Sequence, residues 1–422
     1  MKFIWTTLFL SLLASCKSEE GNLKLLSQNN LKIQTFSFRT DKDTSLITQG
    51  GIIIKLKAGD IESFAGNVVK VNIKEALSIT EMIKAGLYTM SDGRPLSSGG
   101  MFSIDVENRK DLKIKRAISA FVPTTLYNSD MSVFSGHEND NSVNWTKPEK
   151  LSEDDEVQSR IRAGKDLFES SCGNCHKIDK DFAGPSLMGI TDRLPKRWLY
   201  DFTRNPAAVW DNSASKTNNI LALDNYTCCM VNEWKPLLMT PFPELSDNDL
   251  ENIYSFVKSE SEKIGFGKEN TISSRCFNCA FPGRNAQLAD DSGVSYLSLS
   301  RTIVVNSDTI TGTFYSLKID AFGWYNIDIL LDDLQGCSPS ELIVDNGGRS
   351  NENVRISLVI PAIRIFSYAY PDKASGKFVF SKDGATIPLP RSEKCYILSY
   401  SQLDENSVEY SLQRFTAAGP AK

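Results

Sequence analysis

Cys172-Gly173-Asn174-Cys175-His176 places two thiols and an imidazole within five residues. Thiols at this spacing lie on one helical turn, where each can bond one vinyl group of the same porphyrin. The adjacent imidazole is then held under the iron. C-x-x-C-H is the attachment signature of a c-type haem. The plainer alternatives are a zinc half-site and a thiol redox pair that happens to precede a histidine. The chain has only two histidines, His137 and His176, which leaves little from which to build a second haem site or a His-rich metal site. His137 is expected in a polar loop over 136–144, facing solvent, because no other ligand-type residue stands at metal spacing from it.

The chain of 422 residues is long enough for several domains, and its composition is that of an ordinary globular protein. A net charge of −5 gives no electrostatic support to a nucleic-acid role. Lys2 precedes a short apolar run, 3–13, too short for a permanent membrane span. The run ends in Leu13-Ala14-Ser15-Cys16, which resembles a bacterial lipobox. The resemblance implies cleavage before Cys16, lipidation of its thiol and a lipid anchor in the membrane. The expected location is exported, on the periplasmic or cell-surface side of an outer membrane. Export permits disulfides. Besides Cys16, Cys172 and Cys175 there remain Cys228, Cys229, Cys276, Cys279, Cys337 and Cys395, an even set whose pairing the sequence leaves open. Cys276-Phe277-Asn278-Cys279 is a second C-x-x-C, but Ala280 follows it, so it lacks the ligand for a second haem; a structural disulfide, or pairing with Cys228 or Cys229, is expected before a thiol redox pair.

Several elements have to position these residues. Segment 16–32 reads as a tether. Over 33–150, Val69, Val71 and Ile73 alternate with Lys70, Asn72 and Lys74, and similar runs follow, as in an antiparallel β-module of sandwich type with one short helix over 76–86. Near 151 the period changes. Val157, Ile161, Gly164 and Phe168 fall on one helical face that leads into the C-x-x-C-H. A loop-rich stretch is expected up to Met239. Ser246 and Asp249 then cap a second amphipathic helix carrying Leu250, Ile253, Tyr254 and Val257. Strand signals return over 263–422, where Cys337 and Cys395 are candidates to staple the fold. The fold class is multidomain, with all-β regions flanking an all-α segment over 151–262.

That segment resembles a class I cytochrome c domain. Gly164, Phe168 and Tyr254 stand where the family has the glycine and aromatics of its helix crossing. Gly184-Pro185 matches the family's Gly-Pro, whose proline carbonyl accepts the axial histidine's N–H. Met239, in Met239-Thr240-Pro241-Phe242, matches the distal ligand; Met230 is its rival, and Met188 reads as core. The resemblance thus implies one haem c, covalent through Cys172 and Cys175, with His176 and Met239 on the iron. Trp198, Arg197 and Arg204 are candidates for its propionates. More loosely, Ser142-Val143-Asn144-Trp145 with Pro148, and Gly323-Trp324-Tyr325-Asn326, resemble segments of exported β-module lipoproteins, in which the two lie in one continuous region. That implies a cytochrome domain inserted between two β portions.

An iron held by His and Met has no open position, so the expected role is one-electron transfer with a redox protein partner, not catalysis. Residues 151–260 carry 12 Lys and Arg against 18 Asp and Glu, so this is not a strongly basic electron carrier. Two further readings stand beside it. One is a gas binder or sensor with a labile distal ligand. The other is a glycan- or protein-binding β-module for which the haem is an electron inlet.

Overall fold

The computed structural model describes residues 26–416 apart from 65, 107–111, 126, 140–141, 152–155, 215–221, 265–294, 335–336, 346–353, 373–374, 383, 385, 391–392 and 403–407. Cys16 with its leader, and Cys276 and Cys279, lie outside the described residues.

The chain opens with strands β1 (Gln34–Arg39), β2 (Thr44–Ile47), β3 (Ile53–Leu56) and β4 (Val68–Ala76). Helix α1 (Ile79–Ala85) follows. Ser78 and Glu81 close a capping box at its start, and Gly86 takes the left-handed conformation that ends it, at φ 65°. Then come β5 (Arg94–Val106), β6 (Ile118–Pro123) and the hairpin β7 (Ser132–Asn139) and β8 (Ser142–Lys150). His137 therefore lies on a strand and not in a loop, paired with Asn144 across the hairpin, and it is exposed. Its neighbours are polar, but Phe134 and Val143 give the hairpin an apolar side to bury.

Among the described residues, six helices or helical turns follow without a strand between them. They are α2 (Glu156–Ser171), α3 (Ile190–Arg193), α4 (Lys196–Arg204), α5 (Pro206–Ala214), α6 (Ala222–Trp234) and α7 (Asp247–Ile264). The stretch expected to be loop-rich is thus largely helical. Its apolar positions are broken by Asn205-Pro206, which ends one helix and starts the next, so no long periodic run is visible.

The strands after the helices divide between two bodies. β9 (Phe314–Ile319) and β10 (Gly323–Leu330) join the strands that precede the helices. A seven-stranded sheet runs β1–β4–β5–β10–β7–β8, with the two-residue strand Met90–Ser91 beside β5, and a four-stranded sheet runs β9–β6–β3–β2. Alternate residues of both sheets, among them Val71, Ile73, Phe102 and Ile104 from one and Ile54, Ile118, Ala120 and Leu317 from the other, share one apolar core. This is a β-sandwich. Among the described residues the remaining C-terminal chain builds a second core around a four-stranded sheet. Its order is β12–β11–β13–β14, from β11 (Val354–Ile360), β12 (Ile365–Tyr368), β13 (Lys394–Gln402) and β14 (Val408–Thr416). Cys395 is buried in this second core and Cys337 packs against it.

The helical body is therefore inserted between β8 and β9, and the sandwich closes around the return of the chain. Trp324 of β10 pairs with Ser103 on one side and Gly136 on the other. Its ring meets that of Trp145 edge-on, with centroids 6.4 Å apart. The Trp145 Nε1–H donates to the Tyr88 carbonyl at 2.7 Å.

Candidate functional site

Two helices frame the site. The buried residues of α2 are Val157, Ile161, Gly164 and Phe168, the same face that its periodicity marks. Helix α7 begins at the reciprocal Ser246–Asp249 cap, in which the Asp249 N–H donates to Ser246 Oγ at 3.2 Å and the Ser246 N–H to Asp249 Oδ2 at 3.0 Å. The helices cross at Gly164, where a Cβ would stand 1.9 Å from the Asn252 carbonyl oxygen. Only a residue without a side chain permits this approach. Phe168 and Phe256 pack beside it with centroids 5.3 Å apart. The Tyr254 hydroxyl lies 2.6 Å from Thr203 Oγ1 and so ties α4 to the crossing.

The chain leaves α2 directly into the C-x-x-C-H. The Cys172 N–H donates to the Phe168 carbonyl at 2.8 Å, and the Cys175 and His176 N–H groups both donate to the Cys172 carbonyl, at 3.0 and 2.9 Å. Cys172 is buried and Cys175 exposed. Burial pushes the Cys172 thiol up to about 11. The loop then folds back. The Gly184 N–H donates to the Cys175 carbonyl at 2.8 Å, and His176 Nδ1–H donates to the Pro185 carbonyl at 2.8 Å. A carbonyl has no proton to give, so Nδ1 carries the hydrogen and Nε2 keeps its lone pair. Burial lowers the imidazole pKa against the opposing pull of the Pro185 carbonyl and Asp181, which favours the neutral, ligating form. A Cβ on Gly184 would lie 2.6 Å from His176 Cε1, so this glycine is the surface on which the ring rests. The loop is fixed by Asp181, whose carboxylate accepts the Ser186 N–H at 2.8 Å, and by Ser186 Oγ–H, which donates to the Ile178 carbonyl at 2.6 Å.

Cys172, Cys175, His176 and Pro185 thus come together in one turn and the loop that returns to it. Met239 lies in the segment leading to α7, partly buried against the same apolar core. Met230 is buried within α6, and Met188 is buried in the loop after the motif. Trp198 is buried in the same apolar core as Cys172. Its Nε1–H donates to Thr227 Oγ1 at 3.0 Å and its ring stacks on Phe202 at 4.8 Å. Arg204 donates to the Leu245 carbonyl at 2.9 Å and to Asp247 at 2.6 Å, while Arg197 is almost wholly exposed and pairs with Asp201 at 3.6 Å. Cys229 of α6 is disulfide-bonded.

These residues fit a covalent haem. Two thiols flank one turn, a neutral imidazole is oriented by its Nδ1 hydrogen bond, and a glycine leaves room for the ring. Phe182 in the returning loop and Leu237 and Leu238 beside Met239 are exposed by 60%, 64% and 40%, apolar surface that a porphyrin would cover. Among the described residues no group of three or more His, Cys, Asp or Glu is placed to hold a bare metal ion.

Sequence reasoning reached Gly184 with Pro185 but not Thr227 or Glu251. Glu251 gathers Arg160 (3.3 Å), the Tyr200 hydroxyl (2.7 Å) and Lys196 around one carboxylate. These partners lie tens of residues apart, and no local pattern announces them.

The sequence profile of the cytochrome c family matches residues 161–261. No curated protein matches the chain. Among solved structures the chain is similar to a cytochrome c from Rhodothermus marinus, at 22% identity over 27% of this chain and 85% of the other, with a TM-score of 0.21. It is also similar to an engineered cytochrome c from Rhodothermus marinus bound to a carbene intermediate, at 21% identity over 27% and 86%, with the same TM-score.

Proposed function

From the cytochrome c domain at residues 161–261, which implies bound haem c and supports electron transfer, we propose that this protein is an exported, membrane-anchored carrier of single electrons. In this reading one haem is bonded to Cys172 and Cys175, with His176 and Met239 as its axial ligands and Cys16 as the lipidated anchor. The haem supplies a one-electron redox centre. The protein's residues supply its setting. Pro185 holds the His176 ring in one orientation through Nδ1, and such a bond raises ligand basicity. A thioether opposite an imidazole raises the reduction potential and leaves no position open to substrate. The partner is a redox protein, and the chain performs no bond chemistry of its own. Among the described residues no helix is long and apolar enough to cross a membrane, so attachment in this reading rests on the lipid.

The observation that carries the proposal is the 2.8 Å contact between His176 Nδ1 and the Pro185 carbonyl, which prepares one nitrogen of this ring for iron. The test is the absorption spectrum of the oxidised, reduced and carbon monoxide-treated protein, for wild type and Met239→Ala. A low-spin wild type indifferent to carbon monoxide, with a ligand-sensitive variant, supports His/Met ligation and electron transfer. A wild type that binds carbon monoxide readily overturns it in favour of gas binding.

A further inference from the structure

The sandwich has unequal sheets. β8 is an edge strand of the larger sheet with β7 beside it, and β9 is an edge strand of the smaller one. A cleft of about 600 Å³ is lined by residues of all three. Val133, Ser135 and His137 of β7 with Lys147 and Glu149 of β8 line one side. Leu317 and Lys318 of β9 and the turn carrying Phe322 line the other. The volume lies within the roughly 300–1,000 Å³ of small-ligand pockets.

Three features make the cleft a built one. First, the β7–β8 ladder changes register between Val133 and Ser135, and Lys147 on the facing strand sits at φ 52°, a left-handed conformation that a side-chain-bearing residue rarely adopts. Bulges of this kind re-aim side chains beside functional sites. Second, the turn that forms the far wall is pinned. The Tyr325 hydroxyl donates to the Ala321 carbonyl at 2.7 Å and accepts the Ala321 N–H at 3.2 Å, while the Tyr325 ring stacks on Phe102 in the core. Third, the Glu138 carboxylate is held at the rim by the Trp324 Nε1–H at 2.8 Å.

The lining chemistry selects the ligand. Lys147, Lys150 and Lys318 face Glu138, Glu149 and Asp320, so the cleft offers no net field to attract an ion of either sign. It offers many hydrogen-bond donors and acceptors side by side, with the half-buried ring of Phe322 and the buried side chains of Trp324 and Tyr325 among its lining. A ligand that matches both is uncharged, dense in hydroxyls and apolar on one face. We infer that this cleft binds a neutral saccharide. The inference is independent of the haem and of its ligands.

The test is isothermal titration of the full chain with neutral di- and trisaccharides of gluco, galacto, manno and xylo configuration, and with an acidic oligouronate as comparator. Glu149→Gln changes one exposed hydrogen-bonding group at constant volume, and Phe322→Ala removes the ring. At least one neutral sugar is expected to bind, with each variant weakening it tenfold or more while the haem spectrum is unchanged. Failure of every neutral sugar to bind, equal affinity in wild type and Glu149→Gln, or binding of the acidic sugar alone overturns the inference.

Discussion

The helical insertion and the sandwich around it are assembled by opposite means. The insertion is one continuous stretch closed by its own ends, with α2 crossing α7 at Gly164. The sandwich is discontinuous, since β10 returns after the insertion to pair between β5 and β7. The two bodies meet where the chain leaves and rejoins the sandwich. The Tyr127 N–H donates to Glu262 at 3.2 Å, the Gln158 Nε2–H donates to the Ser129 carbonyl at 2.8 Å, and Lys263 pairs with Asp130 at 2.9 Å. Adjacent ends let a domain be inserted without pulling the host apart. The difference teaches that the redox unit can be local in sequence while its mounting is not.

The largest effect that would break this picture is at the crossing. Gly164→Val would drive its side chain into the Asn252 carbonyl, and backbone cannot step aside as a flexible side chain can. The expected cost is about 3 kcal/mol or more, the upper end of overpacking. Denaturant melts followed by the haem band, beside hydrogen exchange of the β5 and β10 amides, should show the haem transition moving to lower denaturant well ahead of the sandwich. Two transitions that move together would mean that the bodies are not separable.

The sandwich has its own close approach, at Gly136. A Cβ there would stand 2.6 Å from Trp324 Cβ and 2.8 Å from the Trp145 ring, between strands from either side of the insertion. Gly136→Ala should cost about 1–3 kcal/mol and shift the sandwich transition, read by exchange of the β5 and β10 amides, with the haem spectrum of the native protein unaltered. A changed haem spectrum would show that strain in the β10 pairing reaches the redox site.

How far each body could be read in advance follows from the same contrast. The buried faces of α2 and α7 were legible because 3.6-residue spacing is a local signal, and so was the cap at Ser246. The β signals around them are legible as strands; that one portion spans the insertion came from the resemblance carried by Trp145 and Trp324, and the strand partners follow from no local pattern. Nothing short-range tells Phe314–Ile319 that its neighbour is β6, nearly two hundred residues earlier. Helices α4 to α6 were missed because Asn205-Pro206 interrupts their period. At the site, Cys172, Cys175 and His176 announce themselves by spacing, whereas the engagement of Trp198 with Thr227 depends on where α6 packs.

The smallest expected effect lies at the seam between the bodies. Burial pushes the Glu262 carboxyl up to about 6 from its ordinary 4.5, with Lys258 at 3.2 Å drawing it the other way. The folded state therefore holds this proton more tightly than the unfolded chain does. The stability this contributes is fully present below about pH 4.5 and is lost as the pH rises through about 6. At 1.36 kcal/mol for each unit, the contribution is about 2 kcal/mol. Glu262→Gln keeps an acceptor for the Tyr127 N–H but does not titrate, so the variant's stability should change less between pH 4.5 and 7 than that of wild type. Thermal melts at both pH values, on wild type and variant, measure the difference. An unchanged pH dependence would mean that the seam opens to water in solution, and that the insertion is tethered to the sandwich by its two chain connections more than by packing.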